Sequence, residues 1–307
     1  TCMPISHEIR NFRWDDIDHL RDLFNGVSSI KGTVKEFDSE LMRQILEHPS
    51  CKPEENCYVA EIGSQLVGFT IVSPEVPISR AVAGGGVLEP HRHQGIGRAL
   101  LRKAIERARG LGVTVFHVQA GADSTVARDL LVSEGFAQVK EYWQMQWRDA
   151  VLPAVDLPDG MRLRPFALDQ DEEALTVVQN RAFGEHWGFC PNTVEEIAAR
   201  VRMSNTSPEG IVLIAEGDKV AGYNWTIRNH NEHGSVGFVA MTGVDPDYRG
   251  NGLGTAVVVS GMEYLNEQNV EAIELEVDSA NEPALALYHK LGFRQVARTA
   301  WYEKTLK

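Results

Sequence analysis

The sequence predicts an α/β protein built from two copies of one domain, each a mixed sheet with helices packed on it. Three observations carry that expectation. The chain has 307 residues, more than one hydrophobic core usually organises. Segments of the first half recur in the same order in the second, which is how an internal duplication reads. Within each copy, strand signals alternate with helix signals, the pattern of an α/β fold.

The recurrence is specific. IRNFRWDDIDHLRDLFN from Ile9 resembles LRPFALDQDEEALTVVQN from Leu163, and VAEIGSQLVGF from Val59 resembles IAEGDKVAGY from Ile214. RHQGIG (92–97) matches RGNGLG (249–254), and the EGF ending at Phe136 matches the LGF ending at Phe293, both at an offset of 157. The clearest element order is in the second copy. Arg162 to Phe166 is a short strand, and Asp169 to Phe183 is a helix with apolar residues at Leu175, Val178 and Phe183. Val194 to Met203 is a second helix. Ile211 to Ala215 and Val220 to Ile227 are strands joined by the turn EGDK. Ser235 to Val244 is a long strand, Thr255 to Asn266 a helix, and Ala272 to Val277 a strand. Pro283 to Leu291 is a helix, and Arg294 to Thr305 is expected to close the copy as its last strand. Between the copies, DAVLPAVDLPDG (149–160) has two prolines, which suit a linker or peripheral extended segment. The boundary is placed near residue 152, giving domains 1–151 and 152–307.

Composition narrows the function. With 43% hydrophobic and 24% charged residues, collagen-like, disordered and disulfide-scaffold classes are excluded. No apolar run approaches the roughly 18 to 20 residues that span a bilayer. The first residues, TCMPISHEIRNF, lack a signal-like apolar stretch, so a cytoplasmic protein with no membrane partner is expected. Net charge is −13, divided as −3 up to residue 150 and −10 beyond it. An acidic second half argues against nucleic acid and suits a cationic substrate. Cys2, Cys51, Cys57 and Cys190 form no C-x-x-C pair, so free thiols in a reducing compartment are expected. His91-x-His93 and His230-x-x-His233 are the near histidine pairs, and no metal site is expected. The chain is read as a monomer or homodimer.

The chemistry concentrates at the glycine loops. SVGFVAMTGV runs as a strand into DPDYRGNGLGT and then a helix. A strand, a glycine turn and a helix N-terminus present unpaired N–H groups and the positive end of the dipole, a setting for pyrophosphate. A dinucleotide fingerprint needs its loop after the first strand, and a Walker loop needs G-K-[S/T]; neither is present.

RGNGLG after GVDPDY, followed by NEPALALYHKLGF (281–293), resembles the GNAT superfamily of acetyl-CoA-dependent N-acetyltransferases. Arg249, Gly252 and Gly254 match the first part of its pattern. Asn281, Ala284, Tyr288, Gly292 and Phe293 match the second. Glu61, Gly63, Val67 and Gly68 match its hairpin pattern in the first copy. The resemblance covers the whole chain as two tandem GNAT domains, and is closest in kind to the mycothiol synthase group. It implies a mixed, mostly antiparallel central sheet flanked by helices in each domain, with acetyl-CoA as donor and no metal.

It also implies site residues. Thr242, Gly243 and Val244, then Arg249, Gly250, Asn251, Gly252, Leu253, Gly254 and Thr255, with Asn281 and Ala284, would hold acetyl-CoA. A backbone N–H near Gly243–Val244 would meet the thioester oxygen, and Tyr288 would protonate the leaving thiol. The first copy keeps Val87, Arg92, His93, Gln94, Gly95, Ile96 and Gly97 but has Leu131 opposite Tyr288 and Ser124 opposite Asn281. It is therefore expected to be degenerate, with the second copy catalytic. Where the mycothiol synthase group has a glutamate on the fourth strand, this chain has Phe238. Candidate bases are Glu232, His233, Glu185 and His186, or water. Glu185, His186, Trp187, Phe189, Trp225 and Phe238 are expected to shape an aromatic acceptor cleft. A small-molecule primary amine is the expected acceptor; a protein N-terminus or lysine, and a non-catalytic acyl-CoA-binding scaffold, are the alternatives.

Overall fold

The computed structural model describes residues 7–27, 37–148, 151–231 and 234–307. In chain order the first copy contains β1 (Glu8–Asn11), α1 (Ile17–Val27), α2 (Ser39–Leu46), α3 (Pro53–Asn56), β2 (Cys57–Ile62) and β3 (Gln65–Glu75). It continues with β4 (Arg80–Val87), α4 (Ile96–Gly110), β5 (Val115–Gly121), α5 (Thr125–Ser133) and β6 (Ala137–Trp147). The second copy contains β7 (Met161–Pro165), α6 (Glu172–Phe183), α7 (Val194–Arg200), β8 (Ile211–Glu216), β9 (Lys219–Asn231) and β10 (Gly234–Val244). α8 (Leu253–Glu267), β11 (Ala272–Asp278), α9 (Glu282–Leu291) and β12 (Arg294–Thr305) complete it. Each element expected in the second copy forms, with ends shifted by at most a few residues.

The packing units differ from the expected boundary near residue 152. One compact unit comprises residues 1–141 and 298–307; the other comprises 142–297. The cause is an exchange of last strands. Tyr142 to Trp147 of β6 pair antiparallel with Ile273–Asp278 of β11. Thr299 to Thr305 of β12 pair antiparallel with Val115–Gly121 of β5. Arg294–Thr305 is thus a strand, but its C-terminal part completes the first unit. Two copies of one fold present like edges, so a last strand can be traded between them, the logic of domain swapping.

Within the second unit the sheet runs β7-β8-β9-β10-β11 and then the β6 stretch. All neighbours are antiparallel except β10 and β11, which are parallel. One face carries α6 and α7 over Phe166, Leu175, Val178, Ile197, Tyr223 and Trp225. The other carries α8 and α9 over a larger cluster that includes Val239, Val257, Ile273, Val277 and Phe293. Met145 and Trp147 of the exchanged strand are buried in that cluster, and the Trp147 indole N–H donates to the Leu291 carbonyl at 3.1 Å. Residues 151–158, between β6 and β7, form neither helix nor strand, and Leu152, Val155 and Leu157 pack on the same core.

The duplication extends to side-chain chemistry. Arg164 forks Asp171 at 2.6 and 2.8 Å while the Ala167 N–H donates to the same carboxylate at 2.8 Å. In the first copy Arg10 forks Asp16 at 2.7 and 2.8 Å, with the Arg13 N–H at 2.8 Å. In both, the arginine holds the carboxyl below the usual carboxylate range, fastening the first strand to the first helix.

The exchange makes a prediction. Trp147→Ala should destabilise the second unit by roughly 3–5 kcal/mol, the cost of emptying a buried tryptophan site. Hydrogen exchange should show lost protection in α8, β11 and α9. Lost protection confined to α4 and α5 would contradict the exchange.

Candidate active site

The site begins where two parallel strands part. Val236, Gly237 and Phe238 of β10 pair with Ala272, Ile273 and Glu274 of β11, and the pairing ends there. Beyond it β10 stays paired with β9 through Val244, and β11 with β6 through Asp278. A notch opens, edged by backbone groups of residues 239–244 and 275–278 with no strand between them. Backbone N–H groups at such an edge need partners and can serve a ligand carbonyl. β10 also has a bulge between Val239 and Met241 against β9, which bends the strand at the mouth of the notch. The bulge lies a few residues before Gly243–Val244, the pair expected to face the thioester. In the first unit β4 and β5 part in the same way after Ala83 and Val118, but β4 keeps an unbroken register with β3.

Tyr288 covers the helix side of the notch. It is 8% exposed and shares its apolar cluster with Val239 and Val277, which flank the parting strands. Its ring meets Phe293 edge-on at 5.7 Å. Burial pushes its hydroxyl up to about 12, so it stays protonated and able to donate. Leu131 takes this place in the first unit, buried and without a proton to give. Asn281 caps α9, its side-chain oxygen accepting from the Ala284 N–H at 3.2 Å. Ser124 caps α5 in the same manner through the Ala127 N–H at 3.3 Å. The change from asparagine to serine therefore keeps the cap.

The glycine loop follows β10. Gly250 and Gly252 have φ of 84° and 78°, the left-handed region that glycine adopts without strain. A Cβ at Gly250, Gly252 or Gly254 would meet nothing within 4 Å, so the loop backbone borders open space. Gly252 is the N-cap of α8, and no side chain caps that helix. The amides of Leu253, Gly254 and Thr255 thus open its N-terminus to an anion. In the first unit His93 takes the place of Gly250 at φ 63°, and Gly95 caps α4 at φ 86°.

Salt bridges fix the loop to α6. Arg181 forks the buried Asp245 at 2.6 and 3.0 Å and reaches Asp247 at 2.8 Å. The guanidinium keeps the Asp245 carboxyl below its usual range. Gly243 lets the end of α6 rest against β10, since a Cβ there would lie 2.8 Å from the Ala182 Cβ. Arg249 donates to the Ala182 carbonyl at 2.9 Å and lies 3.9 Å from Glu185, so its guanidinium is turned to the α6 end as well as standing beside the loop. Arg92 instead donates to the Val87 carbonyl at 2.9 Å, and Gln94 reaches the Pro90 carbonyl at 3.4 Å. Ile96 is buried, and Gly97 makes ordinary contacts.

The expected acceptor cleft is brought together in part. Glu185 and His186 are exposed, and Trp187 and Phe189 half-buried, in the segment after α6. The rings of His186 and Phe189 lie 4.7 and 5.8 Å from Phe183. Partial burial and then the nearby Arg249 lower the His186 pKa, leaving its imidazole neutral at pH 7. Trp225 is corrected: at 2% exposure it is core, packed under α6 and α7 because its position on β9 faces those helices. Phe238 is buried at the vertex of the notch, also within the sheet and not on an open wall. Glu232 and His233 lie outside the described residues. Among the described residues no cluster of histidine, cysteine or acid is arranged to hold a metal, and no helix is long and apolar enough to cross a membrane. Arg181 and Asp245, 64 residues apart in sequence, had no local signal that could have paired them.

Known proteins resemble this chain in both sequence and fold. The model of the acetyltransferase (GNAT) family matches residues 14–136 and again 173–293. A mycothiol acetyltransferase of Pseudarthrobacter chlorophenolicus is 36% identical over 238 residues, 75% of this chain and 72% of that protein. A mycothiol acetyltransferase of Saccharomonospora viridis is 32% identical over 96% of this chain and 99% of its own length. A tandem GNAT protein from the clavulanic acid biosynthesis pathway shares the fold at a TM-score of 0.76, with 19% identity and 98% of each chain covered. Two matches to one family model, one on each copy, with the curated relatives, make the chain a member of the GNAT family and an N-acetyltransferase of tandem architecture.

Proposed function

We propose that the second unit transfers the acetyl group of acetyl-CoA to the primary amine of a small molecule by direct attack, while the first unit is degenerate. The observation that carries this reading is the conjunction of the bulged notch between β10 and β11, Tyr288 buried behind it, and the uncapped α8 N-terminus beside it. The loop amides of Gly252 to Thr255 take the pyrophosphate, with Asn251 and Leu253 in the same turn. Thr242, Gly243 and Val244 lead the pantetheine into the notch. Asn281 and Ala284 border it from the start of α9. A β10 amide near the bulge donates to the thioester oxygen.

The amine nitrogen then forms a bond to the carbonyl carbon, and the carbon–sulfur bond breaks. Tyr288 gives its proton to the departing thiolate. Burial raises the phenol, but it raises the proton affinity of a thiolate leaving into the same apolar surroundings too. The proton lost by the attacking amine goes to His186, which is neutral at pH 7 and lies on the acceptor side, or through it to water. Glu185, largely exposed beside Arg249, draws a cationic amine toward the cleft with Trp187 and Phe189. The relatives named mycothiol acetyltransferases make the amine precursor of mycothiol the first acceptor to assay. Phe238 at the vertex, where that group has a carboxylate, favours other small amines beside it. Free thiols at Cys51, Cys57 and Cys190 and a soluble substrate fit the cytoplasm.

Two measurements test the reading. Calorimetric titration with acetyl-CoA should lose more affinity on Arg249→Ala than on Arg92→Ala; equal losses would remove the inequality between the units. Tyr288→Phe keeps the ring packing and deletes the hydroxyl. Acetyl-CoA affinity should hold while turnover falls roughly 10²- to 10⁴-fold, the usual worth of one positioned acid. Near-normal turnover would take the tyrosine out of the mechanism.

A further inference from the structure

The segment between β6 and β7 does more than connect. Residues 154–158 run beside the first half of α8 and border with it a half-open cavity of about 410 Å³. That is within the range of small-molecule sites, roughly 300–1,000 Å³. Val155, Leu157 and Pro158 on the segment and Ala256 and Val259 on the helix give it apolar walls. Asp156, Asn251 and Thr255 add polar groups. Asn251 and Gly252 belong at once to this cavity and to the glycine loop, so the two sites are continuous.

From a pyrophosphate on the loop, a coenzyme leaves in two directions. Its pantetheine arm enters the notch between β10 and β11, and no residue of β10, β11 or α9 lines the cavity. The nucleoside end must therefore go elsewhere, and the cavity adjoins the loop. A flat heteroaromatic ring matches apolar walls, and the Asp156 carboxylate can accept from its exocyclic amine. The first unit differs at the equivalent surface. Arg98 and Arg102 stand where the second unit has Thr255 and Val259, and both bind Glu134, at 2.5 and 2.9 Å. Ion pairs occupy that face of α4.

We propose that residues 154–158 form a strap that seats the adenosine of coenzyme A against α8, so that the linker between the repeats selects the donor. The proposal rests on the reading of the loop as a pyrophosphate site. Among the described residues no basic side chain lines the cavity, so on this proposal the ribose 3′-phosphate points to solvent and is not read.

Calorimetry on the full chain with CoA, 3′-dephospho-CoA and 4′-phosphopantetheine tests this without requiring turnover. CoA and 3′-dephospho-CoA should bind within about twofold of each other, and 4′-phosphopantetheine roughly tenfold or more weakly. Ala154→Trp, an exposed position that fills the cavity, should weaken CoA about tenfold and leave 4′-phosphopantetheine unchanged. Equal affinity of wild type for CoA and 4′-phosphopantetheine overturns the strap, as does Ala154→Trp weakening both ligands or neither. A protein that shows the predicted pattern but acetylates no amine would refute the catalytic reading and retain the strap. Failure to bind any of the three would refute both.

Discussion

Everything at the site follows from how far β10 and β11 stay together. Parallel strands are ordinarily buried and paired along their length, yet these two share a ladder of three residue pairs and then separate. Each is held on its far side, β10 by β9 and β11 by the exchanged stretch of β6. The separation is therefore a rigid opening and not a frayed edge. It exposes main-chain donors without exposing the core, because α9 covers one side with Tyr288 and the α6 end rests against the other with Phe183. The bulge after Val239 sharpens that opening. The Arg181–Asp245 fork then sets where the glycine loop begins. In the proposed reaction, strand separation, loop and helix N-terminus act as one support for an extended thioester.

The two units show what a duplication can keep and what it can lose. The fold tolerates Leu131 for Tyr288, one buried apolar side chain in place of another, as well as His93 for Gly250 and an unbulged β4 for the bulged β10, which lie outside the core. The helix caps at Ser124 and Asn281 and the arginine–aspartate clamps at both first strands are retained because stability needs them. The features that persist in both copies are architectural. The features confined to the second are those that the proposed acyl transfer draws on.

Much of this was legible in sequence. The strand and helix limits of the second copy and the glycine loop follow from periodicity and turn residues, and the place of Tyr288 from the motif by which the chain resembles GNAT enzymes, all local properties. What was not legible depends on distant pairing. Arg294 to Thr305 reads as a strand from its own residues, but only the register with Val115–Gly121 shows which sheet it joins. Trp225 reads as a cleft aromatic beside Trp187, Phe189 and Phe238, whereas its face of β9 is decided by the α6 and α7 packing. Arg249 reads as a phosphate ligand, and the Ala182 carbonyl that it also serves lies 67 residues earlier. The exchange of last strands has no local signature, because identical edges accept either copy's strand.

The central claim is that the notch of the second unit is where the thioester sits. The most direct measurement is a crystal structure of the full chain with CoA bound. The account predicts the pyrophosphate on the amides of Gly252 to Thr255 and the sulfur between the parted strands, within hydrogen-bond reach of the Tyr288 hydroxyl. A thiol end lodged in the first unit's notch beside Leu131, or one directed away from Tyr288, would contradict it.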